Sequence, residues 1–538
     1  WLALRLLGGD LGGGFFAGVQ PALQLSPWAA LAFGLLGIAA TMAGGWWPAR
    51  QAMELPPAAT LKGIGGGAEQ PARAVPALAL LAASVALAFV PPIGGVPLAA
   101  YVAVGLLLLG GMAALPWLLG GLLGAALRLA PALTKRALPL LAVERARRMR
   151  RSTMVAIGGV VASLSLAVAL TVMVTSFRAS MTDWLDAVLP APWYARPAGG
   201  STRIEAGLLQ ADAARAIAAL PGIARAQPMR ATTLTLIPGR PAVSLLVRPL
   251  QGEQAQQLPW VQGPVAAPPG RIAIYVSEAV AQLYGVKPGD DWPLLSKAFR
   301  PTEPAEQAQT AHFYVAGVWR DYVRQFGAIA MDWSGWLSLS DDARASEIAI
   351  WPREADARLE DLRPRIEAAL AQATAPGLPR PDMELEFVSS QALRERSLRI
   401  FDRSFAVTYW LQAIAIGIGL FGIAASFGAQ VLARRREFGL LAHLGLTRGD
   451  ILAVVAGEGL AWTGVGAAAG LALGLGVAVI LVHVVNPQSF HWTMDLRLPL
   501  ARLAALCCAV VCAGTATAWI AGRSAAGRHA VLAVKEDW

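Results

Sequence analysis

The chain has 538 residues, of which 56% are hydrophobic and only 15% charged. Soluble globular chains carry about a quarter charged residues, so this composition excludes an ordinary soluble enzyme and a disordered chain and points to the membrane. The formal net charge of +10 suggests nucleic acid until it is mapped: residues 178–403 hold 24 basic and 25 acidic residues, against 21 and 10 in the rest of the chain.

The excess flanks long apolar runs, where cytoplasmic loops collect Lys and Arg. No basic face interleaved with aromatics suggests a nucleic-acid partner. The opening "WLALRLLGGDLGGGFF" lacks a Met and is expected to be preceded by a missing amino-terminal part. Apolar runs follow at 26–47, 75–93, 97–127, 153–177, 404–432, 451–485 and 499–521, each long enough to cross about 30 Å of hydrocarbon as a helix. Basic stretches at 48–63, 133–152, 433–438 and after Arg523 fall after alternate runs, which sets those loops in the cytoplasm. The charge-poor loops 91–97 and 486–499, together with residues 178–403, then lie outside it. "GIGGG" at 63–67 has no preceding strand and reads as a linker.

A shift of 473 residues superposes Trp46 on Trp519, Arg50 on Arg523, Ala52 on Ala525 and Lys62 on Lys535. An apolar span ending in Trp, then Arg, then an amphipathic tail thus occurs twice, as in a duplicated membrane module.

Residues 178–403 have a different texture. "LLQADAARAIAALPGIARAQPMRATTLTLI" predicts a helix, a Pro-Gly turn and a strand. "RIAIYVSEAVAQLYGVKPGDDWPL" predicts strand, helix, Gly-Asp turn and strand. "HFYVAGVWRDY" and "SEIAIWP" are further strands, and "ADARLEDLRPRIEAALAQA" is an amphipathic helix. The expected fold class is an α-helical polytopic membrane protein with an inserted α+β extracytoplasmic domain.

Catalytic signatures are missing. The chain has no Gly-Lys dipeptide and therefore no P-loop. Its five histidines lack metal-pair spacing, and no Gly-x-Ser-x-Gly elbow occurs. The acidic pairs Asp290–Asp291 and Asp341–Asp342 lie in turn-like sequence and read as a solvated face. Cys507, Cys508 and Cys512 all fall in the last apolar run and read as small packing residues, not a disulfide framework. No enzymatic activity, bound metal or bound cofactor is expected.

Two features of the last third carry more information. Glu458 lies in the otherwise apolar "ILAVVAGEGLAWTGVG", where an ionisable group is costly. It either makes a polar contact that locks helices or couples to the cytoplasmic element, or it sits near the interface and snorkels. Gly466, Gly470 and Gly474 recur every fourth residue, a spacing that lets helix backbones approach closely, within the chain or between copies.

The cytoplasmic stretch "ARRREFGLLAHLGLTRGDIL" (433–452) predicts a short helix with Leu440, Leu441 and Leu444 on one face and Arg435, Glu437 and His443 as polar positions. Gly445 is placed to end it, and Thr447 with Asp450 has capping-box spacing before the next span. Such a knob suits contact with a soluble partner, the alternative being an interfacial helix anchored by arginines.

"RRREFGLLAHLGLTRGDILAVVAGEGL" resembles the signature of the FtsX-like permease family, the MacB/LolC type of ABC-transporter membrane subunit. The match runs through Arg435, Arg436, Glu437, Phe438, Gly439, Leu440, Leu441, Leu444, Gly445, Arg448 and Glu458, and departs at Ala442, His443 and Leu446. "YVSEAVAQLYGVKPGDDW" is similar to a stretch usual in the family's extracytoplasmic domain. The resemblance implies that residues 1–63 close a first permease module, that 64–152 hold two linking spans and a basic segment, and that 153–177 is a transmembrane helix. Residues 178–403 would be the periplasmic domain, and 404–538 three spans with the coupling helix. The whole would be a long, ten-span member of the family in the bacterial plasma (inner) membrane, without its amino-terminal part. The segment from Arg434 to Leu446 would sit on a separate cytoplasmic ATPase carrying ATP and Mg²⁺. Further partners implied are a second permease copy or paralogue, a periplasmic protein and membrane lipids. Movement of the outer domain would act on lipophilic, lipoprotein or peptide-like substrates. Alternatively the domain would regulate a periplasmic enzyme or sensor without moving substrate.

Overall fold

The computed structural model describes residues 26–53, 74–133, 137–148, 150–198, 208–250, 258–299, 311–340, 342–354, 357–373 and 385–525. The linker at 63–67, Asp341 and the tail beyond 525 lie outside them.

Helices α1 (Pro27–Met53), α2 (Ala74–Ala88), α3 (Leu98–Leu133), α4 (Ala137–Arg148) and α5 (Arg150–Val188) lead into the sheet domain. After it come α11 (Ser390–Ala433), α12 (Arg435–His443), α13 (Arg448–Ile480), a π-helical turn (Leu481–Val485), α14 (Asn486–Phe490) and α15 (Leu500–Ala525). Among the described residues, six helices are long and apolar enough to cross a membrane: α1, α3, α5, α11, α13 with its continuation, and α15. The run at 75–93 contributes only the 15-residue α2, about 22 Å long. Pro91 and Pro92 follow it, and the ring of Pro91 disfavours helical backbone at the residue before it. Two expected boundaries also move. Residues 178 and 403 fall inside the continuous helices α5 and α11, whose 39 and 44 residues span about 58 and 66 Å. Both therefore continue past the bilayer as a two-helix stalk.

Among the described residues between the stalk helices, nine strands form one mixed sheet in the order β4-β6-β5-β7-β3-β2-β8-β1-β9. The strands are β1 (Trp193–Pro197), β2 (Ile223–Leu234), β3 (Val243–Arg248), β4 (Trp260–Gln262), β5 (Ile272–Ser277), β6 (Phe313–Trp319), β7 (Ala328–Asp332), β8 (Glu347–Pro352) and β9 (Leu385–Ser389). Five helices, α6 (Ala213–Ala218), α7 (Glu278–Tyr284), α8 (Pro293–Ala298), α9 (Trp333–Leu337) and α10 (Leu359–Ala373), interleave with them. Alternate residues of β3 (Val243, Leu245, Val247) join Ile274, Phe313, Ile329 and Met331 in one core. Trp193, Ile217, Ile348, Ile350 and Ile366 make a second. The α+β expectation holds, with one change: "DDWPL" is a bridge at Asp291 followed by α8, because Pro293 supplies a fixed φ suited to a first helical turn.

The described members of the acidic pairs, Asp290, Asp291 and Asp342, serve turns and ion pairs. Asp290 Oδ2 accepts from the Lys287 backbone N–H at 2.8 Å, and Asp291 pairs with Arg271. Arg344 grips Asp342 through both oxygens at 2.7 and 2.9 Å, and Arg230 on β2 adds a contact at 2.8 Å. The Arg344 fork holds the Asp342 carboxyl well below the usual carboxylate range. That depression stabilises the fold above the unfolded carboxyl's titration, and the benefit is lost as pH falls through the folded value. Asp342→Asn should therefore flatten the acid limb of thermal stability, read as the midpoint of the purified chain between about pH 5 and pH 2.

In the membrane, α5, α11, α13 and α15 share one core that includes Leu164, Val168, Phe427, Trp462 and Ala518. Gly466 and Gly470 back onto α5, where an added Cβ would meet Ile157 at 3.2 Å and Leu164 at 3.1 Å. At Gly474 it would meet Val168 Cβ at 2.6 Å and the Ser165 carbonyl at 2.7 Å. The small-residue stripe thus closes a contact inside this chain. Across the same seam Ser165 Oγ donates to the Gly470 carbonyl at 3.1 Å, and on the other contact of α5, Gln412 on α11 donates to Thr171 Oγ1 at 2.9 Å. Of the cysteines, only Cys507 packs against this core, while Cys508 and Cys512 are exposed on α15.

Candidate functional site: a buried ion-pair cluster behind an exposed helix

The stretch at 433–452 folds as a stop, a short helix, a stop and a restart. Arg434 interrupts the helical path between α11 and α12. At the far end the Gly445 N–H donates to the Ala442 carbonyl at 3.1 Å and the Leu446 N–H to the Leu441 carbonyl at 3.2 Å. With Gly445 at φ +95° these two bonds make a Schellman motif, and glycine adopts that left-handed conformation without Cβ strain. Thr447 Oγ1 then accepts from the Asp450 N–H at 3.2 Å, and Asp450 Oδ2 accepts from the Thr447 N–H at 3.0 Å. That capping box starts α13. Every bond at this end lies within six residues, so the turn is written locally.

The two faces of α12 differ from expectation. Leu440 and Leu444, one turn apart, are 63% and 73% exposed. Leu441 faces inward with Leu446 and packs against the membrane core, as the Schellman motif's C3–C″ contact requires. The single leucine face therefore divides, leaving Leu440 and Leu444 outside. Phe438 is buried, as is Gly439. The side chains of Arg435 and Arg436 lie outside the described residues.

Behind α12 lies the polar centre of the cytoplasmic half. Glu458, 2% exposed, accepts from Arg145 Nε at 2.7 Å and from Arg434 Nη1 and Nη2 at 2.9 and 3.3 Å. Glu437, at the half-exposed edge, accepts from Arg145 Nη2 at 2.9 Å and Arg434 Nε at 3.4 Å. Two guanidinium and two carboxylate groups thus form a neutral cluster joining α4, the α11–α12 junction, α12 and α13. The Phe438 ring lies 5.9 Å from both guanidinium carbons, so its π face adds to their desolvated surroundings. One turn beyond Glu458, the Trp462 indole N–H donates to the Ala146 carbonyl at 3.0 Å, in the last turn of α4, where carbonyls lack helical partners. Glu458 is therefore a helix lock and not a snorkelling side chain.

Arg145 and Arg434 are the members that sequence reasoning missed. Arg145 is one of five arginines between 145 and 151, and Arg434 one of three in a row. Nothing local marks which of them turns inward. Among the described residues no cluster of His, Cys, Asp and Glu could hold a metal ion. In chemical terms the arrangement ties α12 to α4 and α13 through charge-assisted bonds, with Glu458 and Arg434 buried and Glu437 at the exposed edge.

Residues 411–530, covering α12, α13 and α15, match the FtsX-like permease C-terminal family. Over 409 residues, 74% of its length, the chain is 27% identical to the ABC transporter permease protein Rv0987 of Mycobacterium tuberculosis. It spans about half of that relative, 46%. The sheet domain is similar to the periplasmic region of MacB from Actinobacillus actinomycetemcomitans, at 13% identity and a TM-score of 0.27, over 38% of this chain and 91% of that one. It is also similar to the extracellular domain of YknZ from Gram-positive bacteria, at 11% identity and a TM-score of 0.23, over 34% of this chain and 90% of that one. Scores this low carry no weight, so the relationship rests on the sequence matches; the family match includes Arg434, Glu437 and Glu458. The chain carries an FtsX-like permease domain and is homologous to an ABC transporter permease.

Proposed function

We propose that the chain is the membrane subunit of an ABC transporter and that α12 is the coupling helix seated on a separate cytoplasmic ATPase. The observation that carries this reading is the division of α12. Its outer face offers Leu440 and Leu444 to a partner, while its inner face is fixed to the membrane helices through Phe438, Leu441 and the Glu437–Arg434–Arg145–Glu458 cluster. ATP and Mg²⁺ bind the ATPase, not this chain. Movement of α12 tilts α11 and α13, and the stalk carries that movement to the sheet domain outside the membrane. The domain acts there on a lipophilic, lipoprotein or peptide-like substrate, with a second permease copy completing the assembly.

Co-purification of the full chain with its ATPase tests this. Leu440→Asp combined with Leu444→Asp should weaken ATPase binding by at least tenfold, since burying each leucine at an interface is worth about 1.5–3 kcal/mol. The same pair should leave the thermal midpoint of the membrane subunit unchanged. Undiminished binding and ATPase stimulation would remove α12 from the interface.

A further inference from the structure

Two covalent connections, α5 and α11, join the sheet domain to the membrane helices. A further, non-covalent connection is made by residues 491–499, the extended stretch between α14 and α15. His491, at φ +60°, turns the chain into this strap. The strap then lies along the stalk: the Asp495 N–H donates to Ser180 Oγ at 3.2 Å and the Arg497 N–H to Ser176 Oγ at 3.0 Å. Four helical residues rise about 6.0 Å and two extended residues about 6.6 Å, so an i, i+4 serine pair matches alternate strap amides.

At its next alternate position the strap reaches the sheet domain. The Thr493 N–H and Oγ1–H donate to the two oxygens of Glu278, in the first turn of α7, at 3.0 and 2.6 Å. The Tyr322 hydroxyl donates to the Thr493 carbonyl at 3.1 Å, and Arg320 pairs with Asp495 at 3.2 Å. Burial raises the carboxyl of Glu278 above its ordinary value, against the pull of the Thr493 donors, and pushes the Tyr322 hydroxyl up to about 12. On the opposite side of the strap, Met494 is buried and Leu496 packs into the membrane core. A cavity of about 290 Å³ opens beside the contact, lined in part by Val261, Ala281, Val286, Pro487 and Trp492. Beside these bonds Trp492 of the strap packs edge-on against Tyr322 at 4.7 Å between ring centroids and, tilted, against Phe177 of the stalk at 5.5 Å, so directional bonds and an aromatic cluster together hold the sheet domain here.

We propose that residues 491–499 are a third transmission path, through which movement of α13 and α15 reaches the sheet domain, with Glu278 as the positioning residue that engages it. This rests on the coupling reading above. The test uses the full chain with its ATPase, after Cys507, Cys508 and Cys512 are replaced by Ala. Spin labels at Arg365→Cys on α10 and Leu500→Cys on α15 report their separation with and without ATP and vanadate, alongside amide exchange at Thr493. In the parent protein nucleotide trapping shifts the distance. Glu278→Ala should speed Thr493 exchange about tenfold, abolish most of the shift and leave the ATPase rate within about twofold. Glu278→Gln, which still accepts from the Thr493 N–H and can donate to its Oγ1, should restore the shift. Thr493→Val, which removes one bond and keeps the backbone, should lose part of it even where Glu278→Ala does not fold. A full shift in Glu278→Ala with Thr493 deprotected overturns the strap alone. No nucleotide-dependent shift in the parent overturns the coupling reading and the strap with it.

Discussion

Glu458→Ala destabilises the protein by about 3–5 kcal/mol, the cost of leaving buried guanidinium groups without their counter-charge. Arg434, 7% exposed, loses both of its contacts to Glu458 and keeps only the longer one to Glu437 at 3.4 Å. Arg145 keeps Glu437 at 2.9 Å and loses its shortest partner. Glu458→Gln should cost less, because its carbonyl still accepts one bond. A double-mutant cycle with Arg145→Ala separates the pair's mutual attraction from the penalty of the orphaned charge. Thermal midpoints of the detergent-purified chain give the stability, and ATPase stimulation in the assembled complex gives the coupling. A loss within about 0.5 kcal/mol, the range of ordinary surface substitutions, would mean that the cluster is solvated and locks nothing.

The second large effect is steric. Gly474→Val forces a side chain into the α5–α13 seam where Val168 and the Ser165 backbone already lie, and overpacking of this kind costs about 1–3 kcal/mol or more. Valine at Gly470 and Gly466 should cost progressively less, following the wider approaches of 3.1 and 3.2 Å. Gly464, with nothing within 4 Å of an added Cβ, is the internal control. Val168→Ala should rescue Gly474→Val only slightly, because it removes Cγ1 at 2.8 Å but keeps Cβ at 2.6 Å, and the Ser165 carbonyl at 2.7 Å belongs to the backbone. Equal losses at Gly464 and Gly474 would attribute the effect to helix propensity and not to close approach.

Both predictions concern residues that were conspicuous in the sequence and partners that were not. Glu458 stood out as a lone charge in an apolar helix, and the glycines by their period. What they touch lies in part on segments about 300 positions away, Arg145 for Glu458 and Ser165 for Gly470, and even Arg434 is 24 positions from Glu458. The sheet domain shows the same division. Strands with strong alternation or β-branched content, such as β5, β6 and β8, were legible. β3 was missed although its residues alternate in burial, and so were the three-residue β4 and the five-residue β1, β7 and β9, runs so short that they become strands only by pairing.

By itself the sequence determined the membrane class, the sidedness of the loops, the α+β character of the inserted domain and the local punctuation at Gly445, Thr447 and Asp450. Those signals are composition, charge asymmetry and bonds closed within six residues, all of which a linear reading contains. Only the tertiary structure decided that Leu441 turns inward while Leu440 and Leu444 stay outside, that Arg145 and Arg434 are the arginines that meet Glu458, and that residues 491–499 grip both the stalk and Glu278. Each of those outcomes follows from which surfaces the folded helices bury against one another, a property that no single segment possesses.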